Sequence, residues 1–260
     1  MDTDGRLLKM GKNCAVMNMA IDEAILIAQK ENPNPTLRFY DWTNPAFSFG
    51  YFQNITSDVN VYACREENIE LVKRMTGGGT VIHGWDLTYS LIKPRYSGEE
   101  TVSEMYQQIG RNLVNSLVKL GIPATRYIPS IKQSTLSQNI CLTNLAEHDV
   151  LCNDKKIAGV SVRRNRNGIL FQGYISLDPP PNPILKRVSK HREGQKVVME
   201  NSSAINSDGR CINRNILIQT ICETFDVGIS FNVGKMSGKE LALAEELAMN
   251  KYETDVWNFN

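Results

Sequence analysis

Apolar residues recur at spacings of three and four positions in several segments, and this periodicity predicts amphipathic helices. The predicted helices cover residues 19–28, 103–120, 213–225 and 239–249, and residues 58–68 are also helix-like. Asn18 is the predicted cap of the first helix. Gly121 is predicted to end the second helix.

Short alternating or β-branched runs predict strands between these helices. The predicted strands cover residues 36–40, 46–52, 69–73, 80–83, 87–92, 149–152, 156–163 and 168–177. We interpret Gly84, Trp85 and Asp86 as the turn of a hairpin, and the last three strands as a meander. Residues 124–129 are predicted to be extended, residues 130–139 to form a loop, and residues 186–200 to form a basic surface segment.

The order of these elements predicts the fold class. Strands and helices follow one another without a regular βαβ rhythm. This order is typical of an α+β fold, with mixed, mainly antiparallel β-sheets flanked by helices. We expect residues 1–260 to form a single domain, with the prolines at 179–183 in an internal loop.

Composition narrows the class of protein. The chain has 260 residues, of which 42% are hydrophobic and 22% are charged, ordinary values for a globular protein. A net charge of +1 does not indicate a large nucleic-acid-binding surface, so no nucleic-acid partner is expected. No apolar run approaches the roughly 20 residues that cross a bilayer, and residues 1–5 are unlike a secretory signal. We therefore expect a cytoplasmic protein with no membrane partner.

The cysteine pattern favours a reducing compartment. The six cysteines are Cys14, Cys64, Cys141, Cys152, Cys211 and Cys222. They form no CxxC pair and no Cys/His arrangement with metal-ligand spacing, so no metal site is predicted. A disulfide framework is unusual in a chain of this size without a signal, so we expect free thiols. All but Cys141 are expected to pack as small apolar residues.

The most informative motif surrounds three consecutive glycines, Gly77, Gly78 and Gly79. Such residues allow positive φ angles and let a ligand approach the main chain without meeting a Cβ. Unpaired N–H groups in such a loop form a concave site for a carbonyl or phosphate oxygen. Arg74 precedes the loop and His83 follows it in an alternating strand. The motif predicts an oxygen-binding site, and a tight turn without a ligand is the simpler alternative.

Residues 73–90 resemble the signature of the lipoate and octanoate protein ligase/transferase family, roughly R-R-x-[ST]-G-G-G-x-V-x-H-x-x-x-[LN]-x-[YF]-S. Lys73 stands where the family usually has its first arginine, which keeps the charge but loses the planar fork. Residues 18–23, 156–159, 168–173 and 251–258 resemble four further family motifs in the expected order. Because the five matches span nearly the whole chain, it is identified from its sequence as a member of this family.

The resemblance implies the fold of the biotin and lipoyl ligase catalytic domain, and it assigns roles to individual residues. Lys156 would contact the acyl carbonyl or an acyl phosphate. The residues implied in substrate binding are Arg74, Gly77, Gly78, Gly79, His83, Tyr89 and Gly159. Simpler interpretations are that Lys156 is a solvated charge and that His83 is structural.

The resemblance also implies an apolar slot for the acyl chain. An octanoyl tail offers about 5–6 kcal/mol of transfer free energy, at ~0.8 kcal/mol per buried carbon. The candidates for the lining are Phe49, Tyr51, Val81 and Tyr89.

The cysteine-dependent octanoyltransferase branch of the family is the closest match. In that branch a cysteine lies fifteen residues before the motif lysine, and Cys141 and Lys156 have this spacing. These two are therefore the predicted catalytic residues, with an inert Cys141 thiol as the alternative. The context departs from the branch, which often has an aromatic residue directly after the cysteine and Pro-Ser further on. This chain has Leu142, Leu145 and Ala146 at those positions.

The resemblance leaves more than one activity open. A transferase would need no cofactor, would take octanoyl from acyl carrier protein, and would modify a lysine of a lipoyl domain or of glycine cleavage H protein. A lipoate-protein ligase would instead activate free lipoate with ATP and Mg²⁺ through an adenylate, without a cysteine. Ligases usually have a small C-terminal domain or a separate subunit, and we expect no such accessory domain within residues 1–260. A non-catalytic acyl-binding protein is a third alternative.

A thioester intermediate has a chemical rationale. The pKa of a free lysine amine is ~10.4, so well under roughly 1% of it is neutral at pH 7. Exchange onto a thiol, followed by aminolysis, divides the transfer into two easier steps. A cation such as Lys156 would lower the pKa of the thiol and hydrogen-bond to the carbonyl oxygen as negative charge develops. We therefore expect the Cys141 sulfur within roughly 4–6 Å of the Lys156 amine.

Overall fold

The computed structural model describes residues 3–95, 101–129 and 145–259. The strands are β1 (Thr3–Asn13), β2 (Thr36–Trp42), β3 (Ala46–Phe49), β4 (Glu70–Lys73), β5 (Val81–His83), β6 (Asp86–Pro94), β7 (Ala124–Arg126), β8 (Val150–Cys152), β9 (Lys155–Arg164), β10 (Gly168–Ser176) and β11 (Ile229–Val233). The helices are α1 (Ala15–Ala28), α2 (Ile55–Asp58), α3 (Val61–Glu66), α4 (Val102–Lys119), α5 (Asn182–Leu185), α6 (Arg192–Asn201), α7 (Arg214–Thr224), α8 (Gly238–Leu247) and α9 (Asp255–Phe259), with a π-helical turn at Ala248–Tyr252.

The described strands form two sheets. The larger has eight strands in the order β11-β1-β2-β6-β10-β9-β8-β7, and the smaller has the order β4-β3-β5. The pairs β1–β11, β1–β2 and β3–β4 are parallel, and the other pairs are antiparallel. The predicted α+β class, with mainly antiparallel sheets, is therefore confirmed.

Helices cover both faces of the large sheet. On one face, Ile109 of α4 and Leu217 of α7 pack in a core with Phe39 and Phe171 of the sheet. On the other face, α1 and α8 pack against apolar residues of β1, β6 and β10. Since both faces are covered, β10 is buried along almost its whole length.

The small sheet lies beside the large one. Phe47 and Phe49 of β3 share a hydrophobic cluster with Tyr174 of β10 and Val198 of α6. The two sheets therefore enclose a space between them, and the residues at that boundary form the site described below.

The hairpin predicted around residues 84–86 is wrong. Strand β5 pairs with β3 in the small sheet, whereas β6 pairs with β2 and β10 in the large sheet. Gly84 has a φ of 110°, and its amide donates to Asp86 Oδ1 at 3.1 Å. The turn thus carries the chain from one sheet to the other. The predicted meander of β8, β9 and β10 is confirmed, and Asn153 and Asp154 in its first turn have φ values of 50° and 61°.

The prediction that Asn18 caps the first helix is wrong. Helix α1 begins at Ala15, and Asn18 lies within it. The Asn18 side chain donates to the carbonyl of Asp41 at 2.9 Å and accepts from Arg38 at 2.8 Å. The helical pattern was read correctly, but this asparagine has a tertiary role.

Several other elements differ from the predictions. The basic segment at 186–200 includes helix α6, and the helix-like segment at 58–68 is broken at Asn60, whose side chain caps α3.

Cys64 is buried, but Cys14, Cys211 and Cys222 are exposed, so the expected packing of the cysteines is wrong for those three. The predicted loop at 130–139 lies outside the described residues. In the described part of the chain, every helix falls short of the length and apolar character needed to cross a membrane.

Candidate active site

A small cavity lies between the two sheets. Its volume is about 20 Å³, enough for about one water molecule. Its walls include Met19, Trp42, Val81, Gly159, Ser161 and Tyr174. An acyl chain would need these walls to move apart, and the flexible thioether of Met19 suits such a change.

Arg74 holds the three consecutive glycines, here called the glycine loop (Gly77, Gly78 and Gly79). Its Nη2 donates to the carbonyl oxygens of Gly77 and Gly79 at 3.1 and 2.9 Å. Its Nη1 donates to the carbonyl oxygen of Ser48 at 2.6 Å and to Ser48 Oγ at 2.7 Å. Because a guanidinium is planar and rigid, these bonds fix the loop relative to β3.

Gly50 makes room for the middle of the glycine loop. A Cβ on Gly50 would lie 1.8 Å from the carbonyl oxygen of Gly78. The C=O and N–H of a trans peptide point in opposite directions. With the loop carbonyls directed at Arg74 and Gly50, the amides of Gly78, Gly79 and Thr80 point away from them. The loop is therefore fixed with its amides on the side away from Arg74, and its binding of a substrate oxygen stays a prediction.

Replacing Gly50 with alanine is expected to destabilise the protein by about 1–3 kcal/mol, because the new methyl group overlaps a backbone atom that cannot rotate aside. Urea denaturation measures the change. Gly11→Ala is the matched control, since a Cβ there meets no atom within 4 Å. Equal midpoints for the two variants would contradict this close packing.

His83 lies in a row of buried polar groups. Its Nδ1 is 2.9 Å from Asp86 Oδ2, and its Nε2 is 2.6 Å from Ser48 Oγ. The indole of Trp42 stacks on the imidazole with ring centroids 3.9 Å apart. Burial acts to raise the pKa of Asp86, but His83 and the Thr88 hydroxyl hold that pKa below its usual value. The imidazole is therefore fixed in orientation at the cavity wall.

A second polar network joins the glycine loop to the large sheet. The hydroxyl of Thr76, just before the loop, donates to Gln172 Oε1 at 2.8 Å and accepts from Ser161 Oγ at 2.9 Å. Gln172 in turn donates to Asp22 Oδ2 at 2.8 Å. Asp22 forms a fully buried ion pair with Arg38, at 2.6 Å. The network is thus anchored in α1 and β2.

Lys156 is a buried cation beside the cavity. Its side chain is 1% exposed, and its Nζ lies 2.6 Å from Asp149 Oδ2. Burial raises the pKa of Asp149, and the Lys156 ammonium and the Ala146 amide oppose that shift. A Cβ on Gly159 would lie 2.8 Å from Cε and 3.0 Å from Nζ of Lys156. A side chain at position 159 would therefore displace the ammonium from its place against the cavity wall.

The structure brings four of the nine predicted site residues together at one cavity, and Arg74 joins to them the glycine loop, which does not itself line that cavity. Arg74, His83 and Gly159 line one cavity, and Lys156 contacts its wall. The Tyr89 ring belongs to the main core, where it occupies the space a Cβ on Gly173 would need. Cys141 lies outside the described residues, so its predicted distance from Lys156 stays a prediction.

The sequence analysis did not find the polar partners Ser48 and Asp86, nor the ion pair between Asp149 and Lys156. Asp149 lies seven positions before Lys156, directly ahead of the strand that pairs with the lysine strand. Because the pairing shifts register between Val150 and Leu151, the sequence spacing gave no signal for the ion pair. Ser48 also had no signal, because a serine in a short apolar strand is unremarkable. Among the described residues, His, Cys, Asp and Glu form no cluster of three or more suited to a metal ion.

Comparison with known proteins identifies the family. Residues 14–227 match the family model of the lipoyl protein ligase A/B catalytic domain. Octanoyltransferase LipM of Kyrpidia tusciae is 32% identical over 269 residues, which cover 98% of this chain and 98% of that protein.

Two solved structures have the same fold. The bi-partite lipoate protein ligase of Thermoplasma acidophilum, from a study that includes its E2 lipoyl domain, has a TM-score of 0.82 at 25% identity, covering 99% of this chain and 96% of that one. Lipoate-protein ligase A bound with ATP has a TM-score of 0.81 at 25% identity and 99% coverage of both chains. The chain therefore belongs to the lipoyl protein ligase A/B catalytic domain family.

Proposed function

We propose that this protein transfers an octanoyl group from acyl carrier protein to a lysine of a lipoyl domain or of glycine cleavage H protein, through a thioester on Cys141. The name of its relative, octanoyltransferase LipM, supports the transfer of octanoyl. The observation that carries the proposal is the buried Lys156 ammonium, which is paired with Asp149 and lies against Gly159. Gly159 lines the same cavity as Arg74, the residue that anchors the glycine loop.

The first step is thioester exchange. The Cys141 thiolate attacks the donor carbonyl, a new C–S bond forms, and the carrier thiolate leaves and takes up a proton from solvent. Negative charge develops on the carbonyl oxygen during the attack, and Lys156 Nζ donates a hydrogen bond to it. A buried donor of this kind is worth more than one in water, because the surrounding dielectric constant is low.

The second step is aminolysis. The neutral amine of the acceptor lysine attacks the acyl carbon, an amide bond forms, and the Cys141 thiolate leaves while the amine loses its extra proton to solvent. The same carbonyl oxygen gains charge, so Lys156 acts in both steps. The amides of the glycine loop supply further donors whose direction is set before the substrate arrives.

The thioester is tested by mass spectrometry of the protein after incubation with octanoyl-acyl carrier protein. We expect one octanoyl group on the peptide that contains Cys141, and no acyl transfer by Cys141→Ser. Cys211→Ser is the control, because Cys211 is an exposed free thiol that has no role in the proposed mechanism. Full transfer by Cys141→Ser would exclude the cysteine as nucleophile.

A lipoate-protein ligase is the second candidate, favoured by the likeness to a ligase bound with ATP. Lys156 would then contact the phosphate of an acyl adenylate, and Cys141 would have no role. AMP release from free lipoate, ATP and Mg²⁺, with no transfer from acyl carrier protein, would favour the ligase. The reverse result would support the transferase.

A further inference from the structure

A row of four buried polar side chains ends on the glycine loop, and three of them, Ser48, His83 and Arg74, also line the cavity. We call this row the polar relay, and its members are Asp86, His83, Ser48 and Arg74. Each is at most 4% exposed. We propose that the polar relay positions the glycine loop, so that its amides meet the acyl carbonyl. This role rests on the proposed octanoyl transfer.

The polar relay is continuous from the carboxylate to the guanidinium. A guanidinium only donates, so Ser48 Oγ accepts from Arg74 at 2.7 Å. The same oxygen is hydrogen-bonded to His83 Nε2, 2.6 Å away. His83 Nδ1 lies 2.9 Å from Asp86 Oδ2, and a carboxylate only accepts. The imidazole thus links Asp86 to the Ser48 hydroxyl and, through it, to Arg74.

The Arg74 guanidinium connects the relay to the glycine loop through hydrogen bonds. Its Nη1 is held by two oxygens of Ser48, at 2.6 and 2.7 Å. Because the group is planar and rigid, fixing Nη1 also fixes Nη2. Nη2 holds the carbonyls of Gly77 and Gly79, and across the trans peptides this directs the amides of Gly78 and Thr80 away from Arg74. Loss of the Ser48 hydroxyl would remove one of the two Ser48 oxygens that hold Nη1 and so loosen the orientation of Arg74 and of the loop.

The first three members have the connectivity of a serine hydrolase triad, but Ser48 is not positioned to be a nucleophile. Its oxygen accepts a hydrogen bond from a cation, which draws electron density away from it. The residue is fully buried in a central strand of the small sheet. Ser48, His83 and Asp86 are therefore positioning residues that act through Arg74.

The test uses Ser48→Ala and Asp86→Asn in the full chain, with Ser116→Ala as the matched control. Ser116 is equally buried and donates to the carbonyl of Asn112 in helix α4. We expect each relay variant to lower kcat for octanoyl transfer by about 10-fold to 100-fold, the effect of leaving a buried partner unsatisfied. KM for the carrier protein should change by less than about two-fold, because only the donors at the carbonyl are misplaced.

Two further measurements separate positioning from general destabilisation. The amide NMR signals of Gly78, Gly79 and Thr80 should shift in both relay variants and stay unchanged in Ser116→Ala. The Ser48→Ala/Asp86→Asn double variant should be little worse than the poorer single variant, since the two changes interrupt one chain. Ser48→Thr keeps the hydroxyl and should retain the wild-type signals.

Unshifted loop amides, additive losses in the double variant, or labelling of Ser48 by a fluorophosphonate would overturn the relay. The NMR measurement needs no substrate. An inactive wild-type protein would therefore refute the proposed octanoyl transfer, whereas unshifted amides would refute the relay alone.

Discussion

Replacing Lys156 with methionine is expected to lower kcat for octanoyl transfer by about 10²–10³-fold, the usual effect of removing one donor to a developing oxyanion. Methionine retains most of the volume of the lysine side chain but carries no charge and donates no hydrogen bond. The ammonium is buried and oriented by Asp149 at 2.6 Å. It therefore needs no reorganisation when charge develops on the carbonyl oxygen. Single-turnover acylation by octanoyl-acyl carrier protein measures the loss directly.

The same substitution destabilises the fold, so activity and stability must be separated. Removing one partner of a buried ion pair typically costs about 3–5 kcal/mol, because the remaining charge is uncompensated. The double variant Lys156→Met/Asp149→Asn carries no unpaired charge at this position. We expect it to regain much of the lost stability and none of the lost activity. Recovery of acylation in the double variant would contradict a direct role for the ammonium.

The stability of Lys156→Met should depend on pH in a defined direction. Burial already raises the pKa of Asp149, and loss of the ammonium raises it further. When the pKa of a carboxyl is higher in the folded state than its unfolded value of ~3.9, its contribution to the free energy of unfolding is fully present below the unfolded pKa. This contribution is lost as the pH rises through the folded pKa. The deficit relative to wild type should therefore be larger at about pH 8 than at about pH 5. Urea midpoints at both pH values measure it.

Lys155→Met is the control for the loss of a lysine in this strand. Lys155 is the adjacent residue and is exposed. We expect it to leave both the acylation rate and the urea midpoint close to those of wild type. An equal loss of activity in both variants would point to the overall charge of the strand rather than to the buried ammonium.

The elements that depend on neighbouring residues were predictable from the sequence. Helix α4 and the β8–β9–β10 meander follow from local periodicity and turn residues. Strands β1 and β11 were missed, because their pairing joins Thr3 to Ile229 across almost the whole chain. Periodicity also could not reveal that β5 and β6, adjacent in sequence, belong to different sheets.

The candidate site was predictable to the extent that motifs mark it. The glycine loop and Lys156 stand out as patterns, but their partners depend on tertiary contacts. Asp149 pairs with the lysine directly before β8, and the pairing of β8 with β9 shifts register between Val150 and Leu151, which local patterns do not show. The sequence does not distinguish Arg38 from the other charged residues, and only the fold shows that its side chain is fully buried.

Replacing Arg38 with methionine is expected to cause a loss of about 3–5 kcal/mol in the free energy of unfolding. That is a large part of the roughly 5–15 kcal/mol that stabilises a typical protein. The guanidinium lies 2.6 Å from Asp22 and 3.8 Å from the centroid of the Tyr40 ring, and both charged side chains are inaccessible to solvent. Its removal leaves the Asp22 carboxylate buried without its counterion.

Hydrogen bonds alone do not compensate that carboxylate. Asp22 also accepts from Ser90 at 2.8 Å, from Gln172 at 2.8 Å and from Tyr40 at 3.2 Å. These donors are neutral, and the charge remains in a medium of low dielectric constant. Adding Asp22→Asn to Arg38→Met removes the charge while an amide oxygen still accepts. The double variant should therefore unfold at a higher urea concentration than Arg38→Met alone.

Lys119→Met provides the contrast between a buried and an exposed ion pair. Lys119 and Glu223 also lie close, at 2.7 Å, but their side chains are 54% and 45% exposed. Water and salt screen such a pair, so its loss should change the urea midpoint very little. If Arg38→Met were no more destabilised than Lys119→Met, burial would not be what makes the Arg38–Asp22 pair important. Asp22 also accepts from Gln172, which accepts from Thr76 beside the glycine loop. Arg38→Met should therefore disturb the candidate site as well as the fold.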